Sequence, residues 1–282
     1  MPSKGTKEPD SGTATLDQLT ITAFGKFLTS ASASLHRRAT LNMAPNELFQ
    51  YSIISALMDG VASKGLPIAK VLSRGNHGLG TFRYMVGEMI ILDGKLYQMK
   101  SDGTVTPIDP LSSPDVVAPF AMVTQFEATT TTTVTLSTKD DVPATLKQLL
   151  PSSQNHFIAV RLDGRFRSVT VRTASGQTEP GQSLRDVGKH QVSHTFEKVD
   201  GSVVGFQSPR YMEGIGVPGI HLHFITADRK RGGHILALDT GGSVELQAAA
   251  LTKLHLELPV GDEEFDRAAL VSDAAGVAQV EG

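Results

Sequence analysis

Three histidines, His221, His223 and His234, stand in the stretch GIHLHFITADRKRGGHILAL at a spacing that suits metal binding. In a strand, side chains two residues apart leave the same face, so His221 and His223 point together. A chain reversal about Asp228 and Arg229 puts residue 223 opposite residue 234 on the returning strand, where directly paired Cβ atoms lie about 4.5–5.5 Å apart. Gly232 and Gly233 offer a bulge that adjusts the aim of His234. Three neutral imidazoles suit Zn²⁺ best, with Fe, Ni, Co and Cu also able to bind, and a fourth position left to water marks a site for chemistry. A His-x-His pair alone is as easily an accident of a strand; the third histidine at a hairpin-compatible distance favours the metal.

The other candidates carry less. His190 and His194 share the i, i+4 spacing of a helix face, but no third ligand is near and GKHQVSHTFEK is polar, so a solvated face fits them better. His77 sits in a glycine-rich stretch that could line a pocket; His36, His156 and His255 are read as incidental. The run GNHGLGT lacks the Gly-Lys-Ser/Thr ending of a phosphate loop. With no cysteine in 282 residues, thiolate metal sites, thiol nucleophiles and disulfides are excluded. A net charge of −3 gives no field that gathers nucleic acid or anionic lipid, and no stretch approaches 18 apolar residues, so the expected setting is soluble and cytoplasmic.

The elements that must position these groups read as strands. Residues 1–18 are polar, and residues 1–44 read as a disordered or variable N-terminal extension; within them ITAFGKFLTSASASLHRR (residues 21–38) has the basic, hydroxylated composition of a transit segment, which leaves an organellar location as the alternative. From Asn46, an N-cap candidate, Leu48, Phe49, Ile53, Ile54 and Leu57 fall at helical spacing up to Asp59-Gly60. RGNHGLG reads as a glycine-rich loop and TFRYMV as a strand. EMIIL and KLYQM read as a hairpin on Asp93-Gly94, and Asp163-Gly164 signals a second hairpin in HFIAVRLDGRFRSVTVRT. A threonine-rich strand, a short helix in VPATLKQLLPSS, another near SLRDVGKH, the strands VVGFQ, GIHLHFIT, HILALD, SVELQAA and KLHLELP, and an acidic tail follow. The expectation is a strand-rich α+β fold with mixed or antiparallel sheets and few helices. Its parts are an N-terminal extension 1–44, a sheet domain 45–175 and a sheet domain 176–282 carrying the metal site.

Four blocks together resemble the α-acetolactate decarboxylase family: LMDG (57–60), GLGTFRYMVGEMIILDGKLYQMKSDGTVTP (78–107), AVRLDGRFRSVTVRT (159–173) and VVGFQSPRYMEGIGVPGIHLHFITADRKRGGHIL (203–236). The resemblance implies zinc on His221, His223 and His234, and catalytic roles for Glu88 of the GEM segment and Arg172 of the VRT strand. A tail acid matched by Glu281 joins them, with Thr81 of the GTF triplet binding substrate. It implies decarboxylation of 2-acetolactate to acetoin and CO₂ through a metal-stabilised enediolate. Met85-Val86 replace the family's usual Leu-Asp before the Gly-Glu. The alternatives are another three-histidine metalloenzyme, such as a cupin-like dioxygenase or zinc hydrolase, or a non-catalytic homologue that binds. Strand edges that need cover make a homodimer the expected assembly.

Overall fold

Short runs of β-branched and aromatic residues broken by Gly, Pro and Asp fold largely as strands. The computed structural model describes Met1, Pro2, Gly5, residues 44–271 and residues 273–281. The expected extension and its transit-like stretch therefore lie almost wholly outside the described residues. In chain order the first half holds β1 (Leu48–Tyr51), α1 (Ile54–Met58), β2 (Leu66–Pro67), α2 (Ile68–Leu72), β3 (His77–Thr81), β4 (Glu88–Leu92), β5 (Lys95–Met99), β6 (Val105–Ile108), β7 (Val117–Ala118), β8 (Phe120–Thr124) and β9 (Thr130–Val134). There follow α3 (Asp141–Leu149), β10 (Phe157–Thr173), α4 (Leu184–Gly188), β11 (Val192–Ser208), β12 (Gly219–Thr226), β13 (Gly232–Asp239), β14 (Val244–Leu251), β15 (Leu254–Glu257), α5 (Glu263–Arg267) and α6 (Ala274–Glu281).

Two large sheets result, as a strand-rich α+β chain should give. One has the order β15-β1-β8-β3-β4-β5-β6 and is mixed, because β15 runs parallel to β1. The other has the order β11-β12-β13-β10-β14-β9, and β10 pairs with β11 as well, so β10, β11, β12 and β13 close into a ring. The sheets do not divide at residue 175: β9 and β10 precede it yet belong to the second sheet, and β15 follows it yet completes the first. A core cluster that includes Leu48, Leu79, Phe120, Phe206, Leu251 and Val277 binds elements of both sheets together.

Four local expectations give way to tertiary pairing. Residues 48–51 are strand rather than helix: every side chain of LFQY is buried and β1 is paired on both sides, by β8 and β15. Short apolar runs carry no period long enough to separate the two states. Asn46 is no N-cap; it has φ 58° and its amide exchanges hydrogen bonds with the Glu127 backbone at 2.8 and 3.0 Å. HGLGT is a strand rather than a loop, and its glycines answer to its neighbour β8: a Cβ on Gly78 or Gly80 would come 2.6 or 2.3 Å from the carbonyl oxygens of Met122 and Phe120. TFRYMV is no strand beyond Thr81, because Arg83–Met85 form a 3₁₀ turn.

Asp163-Gly164 makes no hairpin either. β10 runs straight through it for 17 residues, with Gly164 paired to Gly201 on the equally long β11 and Asp163 held by Arg161 and Ser202. The Asp93-Gly94 hairpin forms as read, with φ 53° and 72° at the two turn residues. His190 and His194 share no helix: the first follows α4 and the second lies on β11.

Candidate metal centre

The backbone ladder places the imidazoles as the spacing requires. His223 on β12 is the register partner of His234 on β13, and His221 emerges two residues before His223 on the same strand. The glycines before His234 do not bulge; the register shift lies further on, where Thr170 pairs with Ala237 and Val171 with Ile235. Gly232 instead permits close packing, since a Cβ there would meet the Phe224 carbonyl oxygen at 2.4 Å and Met99 Sδ at 2.5 Å.

The three rings are buried, with centroids 4.9–5.4 Å apart, and one ligating nitrogen from each lies within 4.8 Å of the others. Among the described residues, His221 Nδ1 and Nε2, His223 Nε2 and His234 Nδ1 have no hydrogen-bond partner. Buried polar atoms are seldom left so, and an ion would satisfy one nitrogen of each ring. The His223 ring is fixed from behind: its Nδ1 lies 2.7 Å from the Met89 carbonyl oxygen on β4, an acceptor that makes Nδ1 the protonated nitrogen and frees Nε2 to ligate. Burial drives all three imidazoles toward the neutral, ligating form, His223 down to about 3 and His221 and His234 well below their ordinary value. The group can hold a metal ion.

Around it the structure gathers the remaining predicted residues. Arg172 on β10 is the register partner of His234 and is buried; its Nη2 lies 3.3 Å from Glu281 Oε2 and its Nη1 3.8 Å from Glu88 Oε1. Glu281 Oε2 is also 3.4 Å from both His221 Nε2 and His234 Nδ1, while Glu88 Oε2 is 3.7 Å from His223 Nε2. Glu281 arrives on α6, whose Val277 and Val280 dock in the core and whose first turn is tied by Asp273 to Arg185 and to the Gly276 amide. Burial pushes the Glu88 carboxyl up to about 7 against the pull of Arg172, and raises Glu281 against the pull of Arg172 and Lys139.

Thr81 is paired with Glu88 across the β3–β4 hairpin, and its hydroxyl donates to the Gly87 carbonyl at 2.8 Å. Thr81, Glu88, Arg172, His221, His223 and Glu281 line one cavity. The tip departure Met85-Val86 leaves Glu88 in place: Met85 is buried in the same cavity wall, and Val86 is on the surface. The sequence reading missed the Met89 carbonyl and Lys139. A backbone acceptor leaves no mark in side-chain identities, and Lys139 precedes α3 in a stretch that gives no sign of approaching Arg172 and Glu281.

Comparison with known proteins points one way. The profile of the family described as "Alpha-acetolactate decarboxylase" matches residues 48–272. The α-acetolactate decarboxylase of Methanosarcina mazei is 41% identical over 228 residues, covering 80% of this chain and 76% of that protein, and the Klebsiella aerogenes protein of the same name is 37% identical over 79% of this chain and 84% of its own length. The crystal structure of α-acetolactate decarboxylase from Bacillus subtilis strain 168 superposes with a TM-score of 0.77 at 32% identity, covering 84% of this chain and 99% of that one.

Proposed function

The chain belongs to the α-acetolactate decarboxylase family, and from that premise we propose that it is a zinc-dependent carboxy-lyase converting 2-acetolactate to acetoin and CO₂ at His221, His223 and His234. The observation that carries the reading is the set of three buried imidazoles, each with a ring nitrogen that has no hydrogen-bond partner among the described residues, beside one buried arginine and two buried glutamates. A His₃ donor set with oxygen ligands at hand suits Zn²⁺. The metal, when bound, supplies Lewis-acid polarisation of the hydroxyl and ketone oxygens of the substrate.

The chain's own residues do the rest. Arg172 offers a permanently cationic, forked donor to the substrate carboxylate and holds the C–C bond that breaks in a fixed orientation. When that bond breaks, its electron pair passes toward the adjacent ketone and leaves an enediolate. Glu88, protonated near neutral pH by its burial, delivers a proton to the carbinol carbon and so forms acetoin. Glu281 orients Arg172 through their 3.3 Å contact and shares the space between His221 and His234. Thr81 lines the cavity beside them. The cavity walls fix the face that takes the proton, so one enantiomer of acetoin is expected. The working assembly is a homodimer in this reading, supported by the edges of β6, β9 and β15, which are unpaired among the described residues; light scattering tests it.

The deciding experiment is an assay of CO₂ and acetoin from 2-acetolactate before and after chelation, with zinc add-back and elemental analysis. Turnover lost on chelation and regained with zinc is expected. Iron in the purified protein with oxygen-dependent turnover overturns the assignment.

A further inference from the structure

The β3–β4 hairpin closes on two residues of the site, Thr81 and Glu88, and folds its tip back toward them. Tyr84 and Met85 at that tip both have left-handed backbone, φ 59° and 56°, a conformation that side chains other than glycine adopt at a cost. Three hydrogen bonds hold the turn there: Tyr84 N–H to the Ala62 carbonyl at 2.7 Å, Met85 N–H to the Phe82 carbonyl at 2.8 Å, and Gln177 N–H to the Tyr84 carbonyl at 2.7 Å. In this arrangement Tyr84 is 42% exposed while Met85 is 1% exposed and lines the cavity.

The apolar part of that cavity is Ile54, Leu57, Met85, Phe120, Ala174 and Leu184. All six pack in one core cluster, and five of them ride on α1, β8, α4 or the residue just after β10. Met85 is the one carried by the turn between β3 and β4, and its side chain is the one long, unbranched member, able to change shape around what it touches. The polar groups of a 2-hydroxy-3-keto acid are taken by the metal, Arg172 and the glutamates, which leaves its alkyl substituents to the apolar part.

We propose that Met85 is the residue that sets the length of alkyl substituent the site accepts. The inference rests on the decarboxylase reading for its choice of substrates. One methylene in an apolar pocket is worth about 10- to 200-fold in discrimination, so shortening or stiffening this side chain changes the ratio of kcat/KM between homologues.

The test compares 2-acetolactate with homologues carrying one extra methylene at the carbinol carbon or at the acyl end. In Met85→Ala the ratio of longer to shorter substrate rises about tenfold for at least one homologue; in Met85→Phe it falls by a similar factor. Met85→Leu, of similar volume, stays within about twofold of the parent and keeps the comparison alive if the alanine variant is unstable. Metal content unchanged across the series separates a change of shape from damage to the centre. Ratios within twofold of the parent in both folded Met85→Ala and Met85→Phe overturn the inference.

Binding of two unreactive acids that differ by one methylene, 2-hydroxy-2-methylpropanoate and 2-hydroxy-2-methylbutanoate, measured by calorimetry, gives the corresponding ratio at the carbinol carbon without turnover. A parent protein that leaves 2-acetolactate intact defeats the decarboxylase reading, and the binding ratio then decides the role of Met85 alone.

Discussion

Arg172 and His234 are register partners on adjacent antiparallel strands, and His234 is in turn the partner of His223 on the next strand. One row across β10, β13 and β12 therefore delivers a cation and two imidazoles with spacing set by the sheet, the kind of rigid support that precise sites need. The acids arrive differently, Glu88 at the start of β4 and Glu281 at the end of a helix.

Replacing His223 by alanine is expected to abolish metal binding and lower turnover at least about 10²-fold, because two imidazoles and displaced water cannot hold the ion as three do. Elemental analysis alongside the acetoin assay checks it. Full activity in His223→Ala refutes the site.

Arg172→Ala is expected to keep the metal and lose turnover. It should also cost about 3–5 kcal/mol of stability, since the buried Glu281 carboxylate loses its cationic partner. Denaturant melts and metal content read the two effects separately; loss of metal would mean that Arg172 supports the ligands. Adding Glu281→Gln to the variant removes one stranded charge and should recover part of the stability.

Glu88→Gln keeps the shape of the side chain and removes its exchangeable acid proton. Acetoin yield should fall and its enantiomeric purity with it, as solvent protonates the enediolate from either face. Chiral chromatography of the product decides, and normal yield and purity would take Glu88 out of the proton transfer.

His77 predicts an acid sensitivity away from the metal. It is buried between Phe126 and Phe206, its Nε2 is 3.3 Å from the Gly205 carbonyl oxygen, and burial lowers its pKa to about 4. Between pH 6.5 and 4 the unfolded chain binds this proton and the folded chain does not, so stability falls as pH drops through that window and loses nothing further from this group below it. The lowering corresponds to about 3 kcal/mol at most. In His77→Gln the slope of unfolding free energy against pH over that window should be shallower than in the parent. Equal slopes would show that His77 is not the sensor.

The histidine triad was legible because its geometry is local: two residues of spacing and one turn fix three side chains. Thr81, Glu88 and Arg172 carry no such signature and were readable only through family resemblance, since what brings each to the cavity is a neighbour from another strand. Glu281 was harder still, because Val277 and Val280, buried far along the chain from their partners, decide where α6 docks. The same long-range pairing explains why Asp163-Gly164, a strong turn signal, lies in mid-strand: β11 offers a partner for every residue from Ile158 to Phe166.

The hydrogen bond from His223 to the Met89 carbonyl runs from the ring of strands that bears the imidazoles to the other sheet. An ion held on His223 Nε2 would therefore be coupled to sheet docking through the same ring. An ion that prefers the aligned ring must, by reciprocity, tighten the join between the sheets, and a substitution that loosens the join must weaken the ion's hold, even far from any ligand. Thermal unfolding followed against free zinc thus measures how firmly the halves of the molecule grip each other.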